Sequence, residues 1–194
     1  MPGRHSRFAS LHDVELCSHA ALGERAAFGE LVRRHGSAVR GVLRRMGAAP
    51  AEADDVAQDA FLTAFERIAE FRGEGTFAAW VKKIAARLYL RRLQREKKLG
   101  ALAVEAADDE AIGKPRGDAD AAIDLDGALK TLGPAERLCV TMCFGAGLSH
   151  SEAAEALNLP LGTVKSHVKR GLDKLRARLA PESAAVAEER RING

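Results

Sequence analysis

From Leu148 to Leu175 the sequence leaves little choice of structure. Ser149 and Glu152 stand at the spacing of a capping box, so a helix begins there. Asn158-Leu159-Pro160 ends it, and Leu161 to Arg170 opens the next. In that second helix Val164, Val168, Leu172 and Leu175 recur at the three- and four-residue steps of a buried face. Small Ala153 and Ala154 let the two helices cross closely. A short helix, a tight turn and a longer basic helix make a helix-turn-helix. Lys165, Ser166, Lys169 and Arg170 fall on the outward side of the second helix, in its first turns. Side chains there reach base edges when such a helix enters the major groove. His167 lies at the margin of that face, and Thr163 and Lys165 are equally placed to meet phosphates. Upstream, Leu125, Leu129 and Leu132, then Leu138, Val140 and Phe144, predict two more helices. They are broken at Gly133-Pro134 and ended at Gly145-Ala146-Gly147.

The N-terminal half also reads as helix throughout. Leu11 to Leu22 is a short candidate. Ala26 to Met46 carries Phe28, Leu31, Val32, Val39, Val42, Leu43 and Met46 at helical spacing, with a bend expected near Gly36. Gly47 stops it and Pro50 opens a helix over about 51–71. On a wheel of that helix, Val56, Ala60, Phe61, Ala64, Phe65 and Ile68 form one side. Asp55, Asp59, Leu62 and Glu66 form the other, an acidic stripe with a leucine inside it. Such a stripe is either a solvated face or a docking surface for a basic partner. Gly73 and Gly75 then make a tight turn, and Thr76 is placed to cap a helix over about 77–98. Its core face is Phe77, Trp80, Val81, Ile84, Ala85 and Leu88. Lys83, Arg87, Arg91, Gln94, Arg95 and Lys98 gather on a different face, a density of like charge that a phosphate backbone offsets.

The 194 residues carry 30 Lys and Arg against 27 Asp and Glu, a net charge of only +3. That sum is made of opposed blocks. Arg87 to Lys98 and Lys165 to Arg178 are basic, whereas Glu105, Asp108, Asp109, Glu110, Asp118, Asp120, Asp124 and Asp126 lie between them. The acidic stretch also holds Gly113, Pro115 and Gly117, and reads as a flexible linker. The expected organisation is all-α: an N-terminal segment with a short helix over 1–23, a helical domain over 24–98, the acidic linker over 99–122, a helix-turn-helix domain over 123–180 and a frayed tail over 181–194. No run of about 18 apolar residues is present, which predicts no membrane insertion. The N-terminus lacks the apolar core of a signal peptide, so a cytoplasmic location is expected. Three cysteines do not make a disulfide framework. Cys139 and Cys143 share a helix face near His150, which allows either two small buried residues or a metal- or thiol-sensing adaptor. Asp54, Asp55 and Asp59 lie on different faces of one helix with no matching His or Gly-rich loop, so no enzyme, metal or cofactor is expected.

The segment Gly162-Thr163-Val164-Lys165-Ser166-His167-Val168 is similar both to the recognition helix of LuxR-type response regulators and to region 4 of sigma factors. A response regulator would place an alternating strand–helix receiver in the N-terminal half, which has no strand-like runs. That half instead resembles region 2 of the extracytoplasmic-function sigma factors of bacterial RNA polymerase. The resemblance is carried by Asp54-Asp55-Val56-Ala57-Gln58-Asp59-Ala60-Phe61, Phe71-Arg72-Gly73-Glu74, Phe77-Ala78-Ala79-Trp80-Val81 and Ile84-Ala85-Ala86-Arg87. It implies an initiation factor whose partners are core RNA polymerase, promoter DNA and an anti-sigma factor. The helix bearing Asp55, Gln58, Asp59 and Leu62 would dock on the polymerase clamp. The loop holding Phe71, Arg72, Gly73 and Glu74 would take a flipped base of the −10 element. Lys83, Arg87 and Arg91 would hold the opened strand, and the C-terminal helix would read the −35 element. Members usually carry Asn and Asp where this chain has Arg87 and Arg91, and both changes add positive charge.

Overall fold

The computed structural model describes residues 7–103 and 125–192, with side chains described to Glu96 in the first stretch and from Leu125 to Arg178 in the second. Two compact units span residues 1–112 and 113–194. Among the described residues every regular element is helical. The acidic linker falls, from residue 104 on, outside the described residues.

The first unit holds α1 (Asp13–Ala21), α2 (Arg25–Met46), α3 (Pro50–Glu66) and α4 (Phe77–Ala103). α2 runs unbroken through Gly36, where a bend is expected, and ends on Gly47 in the left-handed region at φ +117°. α3 starts with Pro50 in its first turn and stops at Glu66, short of the expected Phe71. A 3-10 turn at Ile68–Glu70 follows, and Arg67 closes on Glu70 across it, with Nη2 donating to Oε2 at 2.6 Å. Ile68 still reaches the core from this turn. α4 extends past Lys98, so its last turn occupies the expected start of the linker.

Aromatic side chains join α2, α3 and α4. Phe77, the first residue of α4, is 1% exposed. It meets Phe28 of α2 edge-on at 6.2 Å between ring centres, and it contacts Phe71 at 5.9 Å and Trp80 at 5.9 Å. Phe28 in turn meets Phe61 and Phe65 of α3, at 6.4 Å and 5.0 Å. Each such pair contributes about 0.5–1.5 kcal/mol beyond the area it buries. On α4 the core includes Phe77, Val81, Ile84 and Ala85 as expected, and also Ala86, Tyr89 and Leu90; Trp80 and Leu88 are half-buried.

A polar clasp ties the N-terminal segment to α2. Arg34 donates to Asp13, to Glu30 and to the carbonyls of Phe8, Ala9 and Leu11. His35 Nε2 lies 2.7 Å from the second oxygen of Asp13. Glu30 is buried, and it also accepts two hydrogen bonds from Arg33. Those bonds, and then the one from Arg34, hold its carboxyl down at about 2.

The second unit holds α5 (Leu125–Lys130), α6 (Pro134–Val140), α7 (His150–Leu157) and α8 (Leu161–Ile192). Ala128, Leu129, Leu132, Val140 and Leu175 form its core, with Leu172 packed against them. A π turn at Thr141–Gly145 extends α6, with the Ala146 amide donating to the Thr141 carbonyl at 2.9 Å. The wider turn shifts the helical register by a residue. Phe144, expected on the apolar face, lies within this turn and is 66% exposed. α8 continues to Ile192, where a frayed tail is expected from Pro181; its Ala, Glu and Arg are strong helix formers.

α6 crosses α8 at Gly171. A Cβ there would stand 2.7 Å from Val140 Cγ2 and 3.6 Å from the Glu136 carbonyl oxygen. Val140 is β-branched and stiff, so it yields little. Gly171→Ala is expected to cost about 1–3 kcal/mol by overpacking. Thermal unfolding checks this, and Val140→Ala in the same chain should recover part of the loss; a variant as stable as the parent refutes the close crossing.

The depressed Glu30 carboxyl gives a pH prediction. Its contribution is complete well above the ordinary value of 4.5 and fades as pH falls through that value towards about 2. The melting temperature of Glu30→Gln should lie below that of the parent at neutral pH, and the gap should close across this window. A gap that stays constant down to the acid end contradicts the role given to the clasp.

Candidate nucleic-acid interfaces

α8 presents the face expected of a recognition helix. Val164, Val168 and Leu175 are buried and Leu172 is half-buried. Lys165, Ser166, Lys169 and Arg170 are exposed, while Thr163 and His167 are half-buried at the margin. Local chemistry sets this geometry. Ser149 Oγ accepts from the Glu152 amide at 3.1 Å, and Glu152 Oε2 accepts from the Ser149 amide at 2.8 Å, which completes the capping box of α7. Asn158 takes the left-handed conformation at φ +53° and ends α7. Pro160 then precedes α8, and its carbonyl accepts from the Thr163 amide.

Two α8 side chains turn towards α6. Lys174 Nζ donates to Glu136 Oε2 at 2.7 Å, and Arg170 Nε stands 3.9 Å from Glu136 Oε1. Arg170 Nη2 also donates to His167 Nδ1 at 3.1 Å. The Lys174 bond, together with the Gly133 amide, holds the Glu136 carboxyl below its usual range. Sequence reasoning missed Glu136 and Lys174. The Gly-Pro-x-Glu spacing signals the cap at Gly133, but nothing local signals a partner 38 residues away.

In the first unit the loop between the 3-10 turn and α4 is fixed at its base and open at its tip. Phe71 is half-buried and lies 5.5 Å from Trp80, ring centre to ring centre. Thr76 Oγ1 caps α4 by accepting from the Ala79 amide at 3.2 Å. Arg72, Gly73 and Glu74 are exposed. Gly73 and Gly75 take φ values of +75° and +88°, which a side chain would oppose. Behind the loop, Arg87, Arg91 and Arg95 recur every four residues on the exposed side of α4, about 6 Å apart along its axis. Lys83, half-buried, begins that row. Arg92 belongs to another face, where it pairs with Glu96 and reaches Glu52 of α3.

On α3, Asp55, Gln58, Asp59 and Leu62 are all exposed, Leu62 by 55%. Beside them a cleft of about 600 Å³ opens between α2 and α3. Gln58 and Leu62 line it together with Phe28, Val32, Phe61 and Phe65; Arg25, Arg40 and Asp54 also border it. Asp55 and Asp59 do not line it. The share of α2 in this surface was not foreseen, because Val32 falls at a core position of the wheel and yet is only half-buried.

Among the described residues no three His, Cys, Asp or Glu side chains come together as a metal site. Burial pushes the Cys139 thiol up to about 11 and raises Cys143 as well. Both are thereby poorer sources of the thiolate that binds metals or reacts with oxidants. No helix among the described residues is long and apolar enough to cross a membrane.

Comparison with known proteins gives two family matches in order along the chain. Sigma-70 region 2 matches residues 31–99 and Sigma-70 region 4 matches residues 128–177. The chain is 31% identical to the ECF RNA polymerase sigma factor SigE of Mycolicibacterium smegmatis, over 87% of this chain and 68% of that protein. It is 32% identical to the RNA polymerase sigma factor CnrH of Cupriavidus metallidurans, over 88% of this chain and 96% of that protein. Among solved structures, CnrH in complex with the cytosolic domain of CnrY superposes with a TM-score of 0.50 at 28% identity, covering 87% of this chain and 97% of that one. The sigma factor RpoE of Bartonella quintana shares the fold, with a TM-score of 0.53 at 20% identity, over 79% of this chain and 96% of that one.

Proposed function

This chain belongs to the sigma-70 family, among the ECF RNA polymerase sigma factors, and we propose on that footing how its faces divide the work of initiation. It is a transcription initiation factor that directs RNA polymerase to promoters. One observation carries the reading: regions 2 and 4 follow one another on two compact units, each presenting an exposed basic helix.

The acidic stripe of α3 docks on core polymerase. Asp55 and Asp59 meet basic groups of the clamp, and Gln58 and Leu62 with the adjoining cleft take its apolar side chains. Exposed charge speeds encounter and fixes register, whereas the apolar contact supplies duration. The loop of Phe71, Arg72, Gly73 and Glu74 receives an unstacked base of the −10 element. Extruding a base costs a few kcal/mol, offset by stacking and by phosphate contacts from Lys83, Arg87 and Arg91. On α8, Lys165, Ser166, Lys169 and Arg170 face the −35 duplex, with Thr163 and His167 at the edge of the contact. The factor works in the cytoplasm, and an anti-sigma factor is the expected third partner.

Reconstitution with bacterial core RNA polymerase tests the reading directly: the chain should permit specific initiation. Duplex binding without any polymerase association would replace it with a repressor. Asp55→Lys with Asp59→Lys should abolish core binding while circular dichroism stays unchanged; full affinity in that variant removes the stripe from the interface. Arg170→Ala should relax selection of one −35 base pair by about tenfold or more, as loss of a base contact does.

A further inference from the structure

We propose that Glu136 is a positioning residue for base reading: from α6 it fixes the orientation in which α8 presents the Arg170 guanidinium. The inference rests on the reading of α8 as the recognition helix, and it adds a residue outside the helix-turn-helix.

The crossing of α6 and α8 places the carboxylate. A Cβ on Gly171 would lie 3.5 Å from Glu136 Cβ, so the Glu136 side chain leaves α6 at the point of closest approach. Arg170 and Lys174 flank that point, one residue before Gly171 and three after it. The stem of Glu136 is fixed from its own side too, because Oε2 accepts from the Gly133 amide at 3.1 Å. Glu136 is 8% exposed, so its attraction for the two cations is less screened than that of a surface acid.

One carboxylate shared by two cations treats them unequally. Lys174 takes the short bond at 2.7 Å. Arg170, at 3.9 Å, is attracted without being consumed, and its side chain remains 60% exposed. His167 Nδ1 accepts from the same guanidinium through Nη2. With Nε nearest Glu136 and one Nη2 hydrogen given to His167, the two Nη1 hydrogens and the second Nη2 hydrogen remain, enough for a two-pronged contact. A planar fork reads a guanine edge only when its orientation is set, so fixing it beforehand removes rotamer entropy that binding would otherwise spend.

The test uses the full chain in holoenzyme with core RNA polymerase, selecting from duplex DNA randomised upstream of the start site. Glu136→Gln keeps an oxygen for the Gly133 amide and removes the charge. It should flatten selection by about tenfold at the base pair that Arg170→Ala also flattens, while the rest of the upstream motif is kept. A merely structural role weakens every upstream position together, and that result overturns the proposal, as does an unchanged motif. If Glu136→Gln does not fold, Lys174→Met leaves the cap intact and turns Glu136 wholly onto Arg170. It must then alter preference at that same base pair and no other, and an unchanged motif again overturns the proposal. If Arg170→Ala itself leaves the motif unchanged, the DNA reading of α8 fails and the role of Glu136 falls with it.

Discussion

Phe77 is the contact on which the first unit depends. It begins α4, is almost fully buried, and meets rings from α2, from the preceding loop and from its own helix. Burying such a side chain contributes about 1.5–3 kcal/mol, and its position matters as much as its size. Because Phe77 directly follows the Gly-rich loop, the packing that anchors α4 also anchors the loop. Phe71 leans on the same ring at the other end. The exposed tip of Arg72, Gly73 and Glu74 is thus a short span held at both ends by one aromatic cluster. A binding loop with fixed ends loses less conformational entropy when it takes a ligand.

Charge is partitioned by a similar economy. The chain is nearly neutral, yet its basic residues fall into two populations. Arg34, Arg92 and Lys174 are drawn into pairs that join one element to another, Arg34 with Asp13 of α1. Arg91, Lys165 and Lys169 stand on exposed helix faces. The first population holds the fold and the second makes the fields that attract a polyanion. Arg170 belongs to both, being mostly exposed while held between Glu136 and His167.

The helices were legible in the sequence because their signals are local. The apolar period of α3 separates a buried side from the side bearing Asp55, Asp59 and Leu62, and the Ser149–Glu152 box marks the start of α7. The outward set on α8 follows from the buried set by subtraction. What was not legible depends on groups distant in sequence or on hydrogen-bond register. The Arg34 clasp spans more than 20 residues. Phe144 keeps the apolar spacing, yet it falls in the π turn and is exposed. Gly171 reads as an ordinary weak point in a helix until Val140 is seen against it. The cleft beside Leu62 needs two helices, and a wheel describes only one.

The proposed division of faces also separates affinity from selectivity. Contacts to phosphate strengthen binding to any sequence, whereas contacts to base edges discriminate. Relative to the pattern that the family resemblance implies, Arg87 and Arg91 add charge to the face of α4 proposed to meet the opened strand. Adding charge there raises affinity for every strand alike. On the proposed reading, selectivity then rests with the surfaces of defined shape, the Phe71–Glu74 loop and the first turns of α8. On α8, Lys165 and Lys169 are flexible point charges suited to phosphate, and Ser166 Oγ already donates to the Gly162 carbonyl. Arg170 is the planar donor on that face, so on the proposed reading the precision of duplex recognition comes down to how firmly its orientation is held. On that proposal Glu136 and His167, which stand against the guanidinium, contribute to recognition without touching DNA.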